Sequence, residues 1–287
     1  MKLACNYYLE TEQLVRAGDI GIDYFKFPAL PFQMGVMDGF GLIGFRRFVS
    51  RVSKVRPVLL HGLYPAFHDL SSPLLKEKFD PHVADRLLKI TKTPGISLHQ
   101  YLSKANLCVS EEQLVKTIAE NVLFLKGKYP GLDFFSVENP SDPGAGALLK
   151  PEVMSEIAAR ADCDFLLDVS HAYCASRFMG EDFERYLSRL PLERVCEIHI
   201  NGWVEKGGEV GDRMCHVKIN EEGYRILRWL LARCRPDIVT IEYGRDNDRI
   251  GAGCPVMSPN KISGDAKKEI VEQVARVREI MCYSQTT

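Results

Sequence analysis

No Cys-x-x-Cys pair occurs among the 9 cysteines of this chain, which removes the redox and zinc-ribbon motifs built on that spacing. Their odd number, in a chain of 287 residues, suits reduced thiols better than a disulfide framework. No stretch approaches the ~18 uncharged apolar residues of a membrane span, and Met1 to Tyr8 is too short and too mixed for a signal peptide. The expectation is a cytoplasmic protein with no membrane partner. Basic charge is not in excess either, with 37 Lys and Arg against 38 Asp and Glu, so no counterion-release term favours nucleic acid. There is no nucleophile elbow and no P-loop or dinucleotide fingerprint. Pro143 to Ala147 (PGAGA) lacks their spacing and reads as a βα loop.

What the chain has is apolar runs that finish on ligand-type side chains. Eight runs of strand length stand out: Lys2 to Tyr8, Ile22 to Phe27, Pro57 to His61, Gly95 to His99, Leu132 to Glu138, Cys163 to Asp168, Arg194 to Ile200 and Asp237 to Tyr243. Helical patterns fall between them: Asp80 to Thr91, Ser110 to Lys128, Lys150 to Ala161, Gly180 to Leu190, Asn220 to Cys234 and Ser263 to Met281. Ser110 with Gln113 forms a capping box, and Pro151 suits a first helical turn. Strand and helix alternate eight times with no linker long enough to divide them. The expected architecture is α/β, a single (β/α)8 TIM barrel over residues 1–287, with its working loops at the C-terminal rim.

Side-chain parity locates the rim. Alternate residues of a barrel strand face the interior. If His61, His99, Glu138, Asp168, His199 and Glu242 point inward, so do Leu59, Ser97, Ser136, Leu166, Glu197 and Thr240, which are mostly small or polar. The outward set is then Leu60, Leu98, Val137, Leu167, Ile198 and Ile241, all bulky aliphatics suited to a helix layer. His171, Asp212 and His216 join the six rim residues as further candidates.

Imidazole and carboxylate without thiolate suit divalent iron, manganese or zinc, and nine candidates exceed the six ligands of one octahedral ion. Two or three metals bridged by carboxylates are expected at this rim. Any one of these residues alone reads more simply as a hydrogen-bonded strand end or a helix cap. Independent structural roles would not place this residue type at the end of six of eight strands. His68 and His82 lack that placement and read as surface residues. Cys5, Cys163 and Cys196 read as buried core thiols, while Cys174 and Cys215 lie beside candidate ligands. Asn201 is a candidate substrate contact and Trp203 a wall of the pocket.

The rim motifs resemble the DUF692 family of multinuclear non-heme iron-dependent oxidative enzymes, whose fold is similar to the xylose isomerase-like barrels. The resemblance rests on His61-Gly62, the Ser-x-His run ending at His99, Glu138-Asn139, LLDV at Leu166 to Val169, IHxxG from Ile198 to Gly202, Asp212 with His216, and IExxxD from Ile241 to Asp246. It implies two or three irons held by His61, His99, Glu138, Asp168, His171, His199, Asp212, His216 and Glu242. It also implies use of dioxygen to modify a cysteine of a ribosomally made peptide, presented by a separate recognition protein. His171, Asn201 and Asp246 are the catalytic candidates. The chain departs from the family pattern where asparagine is usual (His171), where Asp-x-His is usual (Asp212 and His216, with three residues between), and where IHxxG usually continues to histidine (Trp203). Two other readings of the same rim are a divalent-metal sugar isomerase or phosphoester hydrolase, for which Lys26 is the one lysine near the metals, and a barrel that only binds. Lys26 also reads as a solvated barrel lysine.

Overall fold

Every one of the eight apolar runs forms a strand in the computed structural model, which describes residues 1–28, 41–63, 70–100, 102, 109–205, 215–243 and 264–284. The strands are β1 (Lys2–Asn6), β2 (Tyr24–Pro28), β3 (Val58–His61), β4 (Gly95–Leu98), β5 (Phe134–Glu138), β6 (Asp164–Asp168), β7 (Val195–Ile200) and, after a short antiparallel pair β8 (Gly202–Trp203) and β9 (Cys215–Val217), β10 (Ile238–Ile241). All neighbours in the barrel are parallel, and the order β1, β10, β7, β6, β5, β4, β3, β2 closes on itself. This is the (β/α)8 barrel expected from the alternation.

The helices are α1 (Leu9–Ala17), α2 (Gly41–Val52), α3 (Leu75–Lys78), α4 (Pro81–Thr91), α5 (Glu111–Lys128), α6 (Pro151–Ala161), α7 (Val169–Met179), α8 (Phe183–Ser188), α9 (Glu221–Leu231) and α10 (Gly264–Ser284). Their start signals work locally. Ser110 accepts a bond from the Gln113 amide at 3.2 Å, though the Gln113 side chain turns to Thr117 and leaves the capping box half made. Pro151 sits in the first turn of α6, where its missing N–H costs nothing. Periodicity does not reveal α1, α2, α3 or α7. Gly180, expected to start a helix, instead ends α7 in the left-handed conformation at φ 67°, and the next helix begins only after Asp182 caps Arg185.

The strand faces divide as parity requires. Leu60, Leu98, Val137, Leu167, Ile198 and Ile241 all belong to the large apolar core between strands and helices. Ala4, Leu59 and Ile238 form a separate small cluster inside the barrel. Above it the interior is polar: Lys26, Ser97, Ser136, Glu197 and Thr240 are all buried. Lys26 is therefore not a solvated lysine. It is 1% exposed, with Nζ 2.6 Å from Glu197 Oε2. None of the described helices is long and apolar enough to cross a membrane.

Candidate metal centre

Each rim residue is placed by the end of a strand. His61, Glu138 and Asp168 are the last residues of β3, β5 and β6, His99 and Glu242 follow β4 and β10 directly, and His199 is the penultimate residue of β7. Because the strands run parallel around a closed ring, their C-terminal ends converge and the six side chains meet. Glu138 Oε2 lies 3.2 Å from His61 Nε2 and 3.1 Å from His99 Nε2, and those two nitrogens are 2.9 Å apart. On the other side, His199 Nδ1 is 2.9 Å from Glu242 Oε2, 3.7 Å from Glu138 Oε1 and 3.9 Å from Asp168 Oδ2.

Three overlapping ligand groups result: His61, His99 and Glu138; His61, His199 and Glu242; and Glu138, Asp168, His199 and Glu242. Glu138 belongs to two of them. Both of its oxygens are buried and neither has a hydrogen bond, although imidazole nitrogens surround them. A buried carboxylate facing ring nitrogens without aligned donors is costly as it stands. Lone pairs converging on a common point are what a cation requires, so the donor set fits divalent metal.

The electrostatics agree. Four carboxylates, Glu138, Asp168, Glu197 and Glu242, crowd this end of the barrel, and Lys26 is the buried ammonium among the described residues. Burial and the positive charge of Lys26 hold His61 well below the usual imidazole range, and burial takes His99 down to about 3, so both rest as neutral donors. Burial pushes Asp168 up. Burial also opposes charge on His199, but Glu242 and Glu197 outweigh it and raise the ring to about 10. Burial opposes charge on Glu242 in turn, and His199 and His216 hold it well below the ordinary carboxylate value. In a metal-free site, a proton on His199 stands where a cation would balance these carboxylates.

Outer contacts orient the ligands. Asp168 Oδ1 caps α7 by accepting from the His171 amide at 2.7 Å and from Ser170 Oγ at 2.9 Å, while Oδ2 accepts from Asn201 Nδ2 at 2.8 Å. Asn201 is fully buried and its Nδ2 also lies 3.2 Å from His216 Nδ1. Through Nδ2 it holds two rim residues in place, while its Oδ1 makes no hydrogen bond. His171 Nδ1 donates to the Asn139 carbonyl at 3.0 Å, which puts the lone pair on Nε2. His216, at φ 63° on β9, reaches Glu242 Oε2 at 3.4 Å. Asp212, Asp246 and His68 lie outside the described residues, and His82 is exposed on α4. Trp203 stacks on Tyr173 at 4.5 Å and packs edge-on against Phe183, so it braces the hairpin against α7 and α8. Cys5, Cys163 and Cys196 are buried in the core; Cys174 and Cys215 are buried with their sulfurs 3.5 Å apart.

A cavity of about 220 Å³ opens beside Glu138, His99 and His171, bounded further by Gln100, Leu102, Asn139 and the 140–145 segment. The PGAGA stretch on this flank forms a 3-10 turn whose first amides are taken by Asp142, so it offers no open phosphate cradle. Two residues here escape a reading of the sequence. Gln100 is buried with Oε1 unbonded, and Glu197 touches His199. Their signals are adjacency to His99 and the two-residue spacing that puts Glu197 on the inward face with His199.

Residues 109–251, which carry the Glu138, Asp168, His199 and Glu242 motifs, match the model of a family described as RiPP precursor modification enzyme MbnB/TglH/ChrH. Over that segment the chain is similar to that family. A UPF0276 protein of Anaeromyxobacter sp. (strain Fw109-5) is 45% identical over 140 residues, 49% of this chain and 38% of that protein's length. A UPF0276 protein of Rhizorhabdus wittichii is 27% identical over 55% of this chain and 58% of its own length, so the chain spans less than two thirds of either relative. Among solved structures, an IOLI protein with a zinc atom superposes with TM-score 0.63 at 13% identity over 99% of this chain and 98% of its own. Endonuclease IV from Thermus thermophilus gives 0.58 at 19% over 97% and 100%. At those identities the likeness is one of fold, the xylose isomerase-like barrel, whereas the MbnB/TglH/ChrH match covers four of the six rim residues.

Proposed function

We propose that this chain is a multinuclear iron enzyme that uses dioxygen to oxidise a cysteine of a ribosomally made peptide. The observation that carries the reading is Glu138, whose two oxygens serve two adjacent ligand groups within the segment matched by the peptide-modifying family. A carboxylate so placed is suited to bridge two ions.

His61, His99 and Glu138 would hold one ion, and Glu138, Asp168, His199 and Glu242 a second; His171, His216 and Asp212 are the candidates for completing the shell. Iron, once bound, would supply the one-electron and dioxygen chemistry that no side chain here can perform. The chain's own residues do the positioning. Asn139 and Asn201 fix Asp168, and the main-chain carbonyl of Asn139 fixes His171. The cavity beside Glu138 admits the peptide, with Gln100 Oε1 able to accept one of its N–H groups. A separate recognition protein would deliver that peptide.

A lysine acting near the metals would favour the isomerase or hydrolase reading, and Lys26 is instead bound to Glu197 and Ser97 inside the barrel. Protein purified without oxygen, analysed for metals and recorded in the visible before and after air exposure, tests the proposal. Two or more irons per chain with an oxygen-sensitive band would support it. Zinc, manganese or magnesium with no response to oxygen would overturn it.

A further inference from the structure

Among the candidate ligands, His199 is held differently from His61 and His99. Those two rings turn Nε2 toward Glu138, whereas His199 turns Nε2 away, 3.2 Å from Glu197 Oε1, and offers Nδ1 to the rim. Glu197 lies two residues earlier on β7, so strand parity puts both side chains on the inward face.

Glu197 is itself held on all sides. Oε1 accepts from Thr240 Oγ1 at 2.6 Å, while Oε2 accepts from Lys26 Nζ at 2.6 Å and Ser97 Oγ at 3.0 Å. With three donors already in place around it, Glu197 is a pure acceptor toward His199, so the ring proton shared with it resides on Nε2. Nδ1 is then the atom that faces oxygens of Glu242, Glu138 and Asp168. In the metal-free site Nδ1 carries a second ring proton toward Glu242, and a metal ion taking that proton's place would meet the Nδ1 lone pair.

A buried ion pair such as Lys26–Glu197 adds little to stability over an apolar pair of similar volume, because desolvation offsets the attraction. Its place in the barrel calls for another reason. We propose that Glu197, with Lys26 as its counter-ion, is a positioning residue that fixes His199 in the Nε2–H tautomer, making Nδ1 the metal-binding atom. The inference rests on the reading that the rim holds metal. Carboxylate partners of this kind orient ligand histidines and raise their basicity, and their loss typically weakens metal affinity by ~10–100-fold.

The test uses the full chain loaded with zinc, a diamagnetic probe, in wild type, Glu197→Gln and the charge-balanced double variant Lys26→Met/Glu197→Gln. Affinity is read by chelator competition, folding by circular dichroism, and the His199 tautomer by long-range ¹⁵N–¹H NMR of the ring. Expected are an Nε2–H, Nδ1-bound ring in wild type and about 10–100-fold weaker zinc binding in folded variants. Unchanged affinity in a folded variant would overturn the role of Glu197 and leave the metal reading intact. So would a wild-type ring bound through Nε2, a result that requires no variant to fold. Failure of wild type to bind zinc, manganese or iron at all would overturn the metal reading, and this inference with it.

Discussion

Asn139 and Asp168 clasp each other across the barrel rim: Asn139 Nδ2 donates to the Asp168 carbonyl at 2.9 Å, and the Asp168 amide donates to Asn139 Oδ1 at 2.8 Å. The clasp replaces one step of the β5–β6 ladder with a side chain, and it sets the distance between two carboxylates, Glu138 and Asp168, that the metal centre needs together. Asn139→Ala takes the side-chain acceptor from the buried Asp168 amide and one donor from the Asp168 carbonyl, which as the N-cap of α7 still accepts the first helical bond. The expected loss is on the order of 1–3 kcal/mol, read as a lower urea midpoint, together with weaker metal binding.

Glu138 and His99 separate two levels of damage. His99 serves one ligand group and Glu138 two. Metal analysis of Glu138→Ala should therefore show a larger deficit than His99→Ala, with circular dichroism unchanged in both, because rim residues carry function rather than core stability. Equal and full occupancy in both variants would remove the proposed centre.

Stripping the metal should lower thermal stability. The crowded carboxylates are balanced by cations in the folded state alone, so ions present at 100 times their dissociation constant stabilise by ~2.7 kcal/mol per site. A chelator should lower the melting temperature by several degrees, reversibly on adding metal back. No change in calorimetry would mean that the buried carboxylates are balanced in another way.

Gly202 explains the glycine of the IHxxG motif. A Cβ there would stand 1.8 Å from the Lys218 carbonyl oxygen and 2.6 Å from its carbon, both main-chain atoms of the segment that leaves the hairpin's return strand. Gly202→Ala should force β8 from β9 at a cost of ~3 kcal/mol or more, and should displace His216. A melting temperature equal to wild type would show that the hairpin can shift cheaply.

Away from the rim, Glu12 is tied to Arg51, Arg16 and Tyr7. Burial works against its ionisation, but the bonds from Arg51, Arg16 and Tyr7 outweigh burial and hold its carboxyl below the ordinary value. A carboxyl with a depressed folded-state pKa stabilises fully above its unfolded pKa of ~4.3 and loses that contribution as pH falls through the folded value. The difference in urea midpoint between wild type and Glu12→Gln should therefore be constant near neutrality and shrink below about pH 4. A difference independent of pH down to acid unfolding would assign the effect to packing.

Much of the barrel is legible in the order of residues alone. All eight strands and the inward register follow from period and parity, since a barrel strand must present aliphatics outward and has no other way to cover its helix layer. Six candidate ligands are legible for the same reason, as strand ends in a closed parallel ring have nowhere to point but together. Short helices are less visible. α7 follows β6 without a break, because Asp168 acts at once as rim residue and N-cap, and a helix that begins inside a motif leaves no separating loop to announce it.

The linear order of residues thus determined the fold class, the ring of imidazole and carboxylate at its rim, and the family resemblance, because each depends on local period and spacing. Only the tertiary structure decided the pairings. That Lys26 meets Glu197 across 171 positions, that Asn201 meets Asp168, and that Glu138 is shared between two ligand groups are facts of barrel closure. Closure brings together side chains from strands far apart in sequence, and no local pattern records which of them will touch.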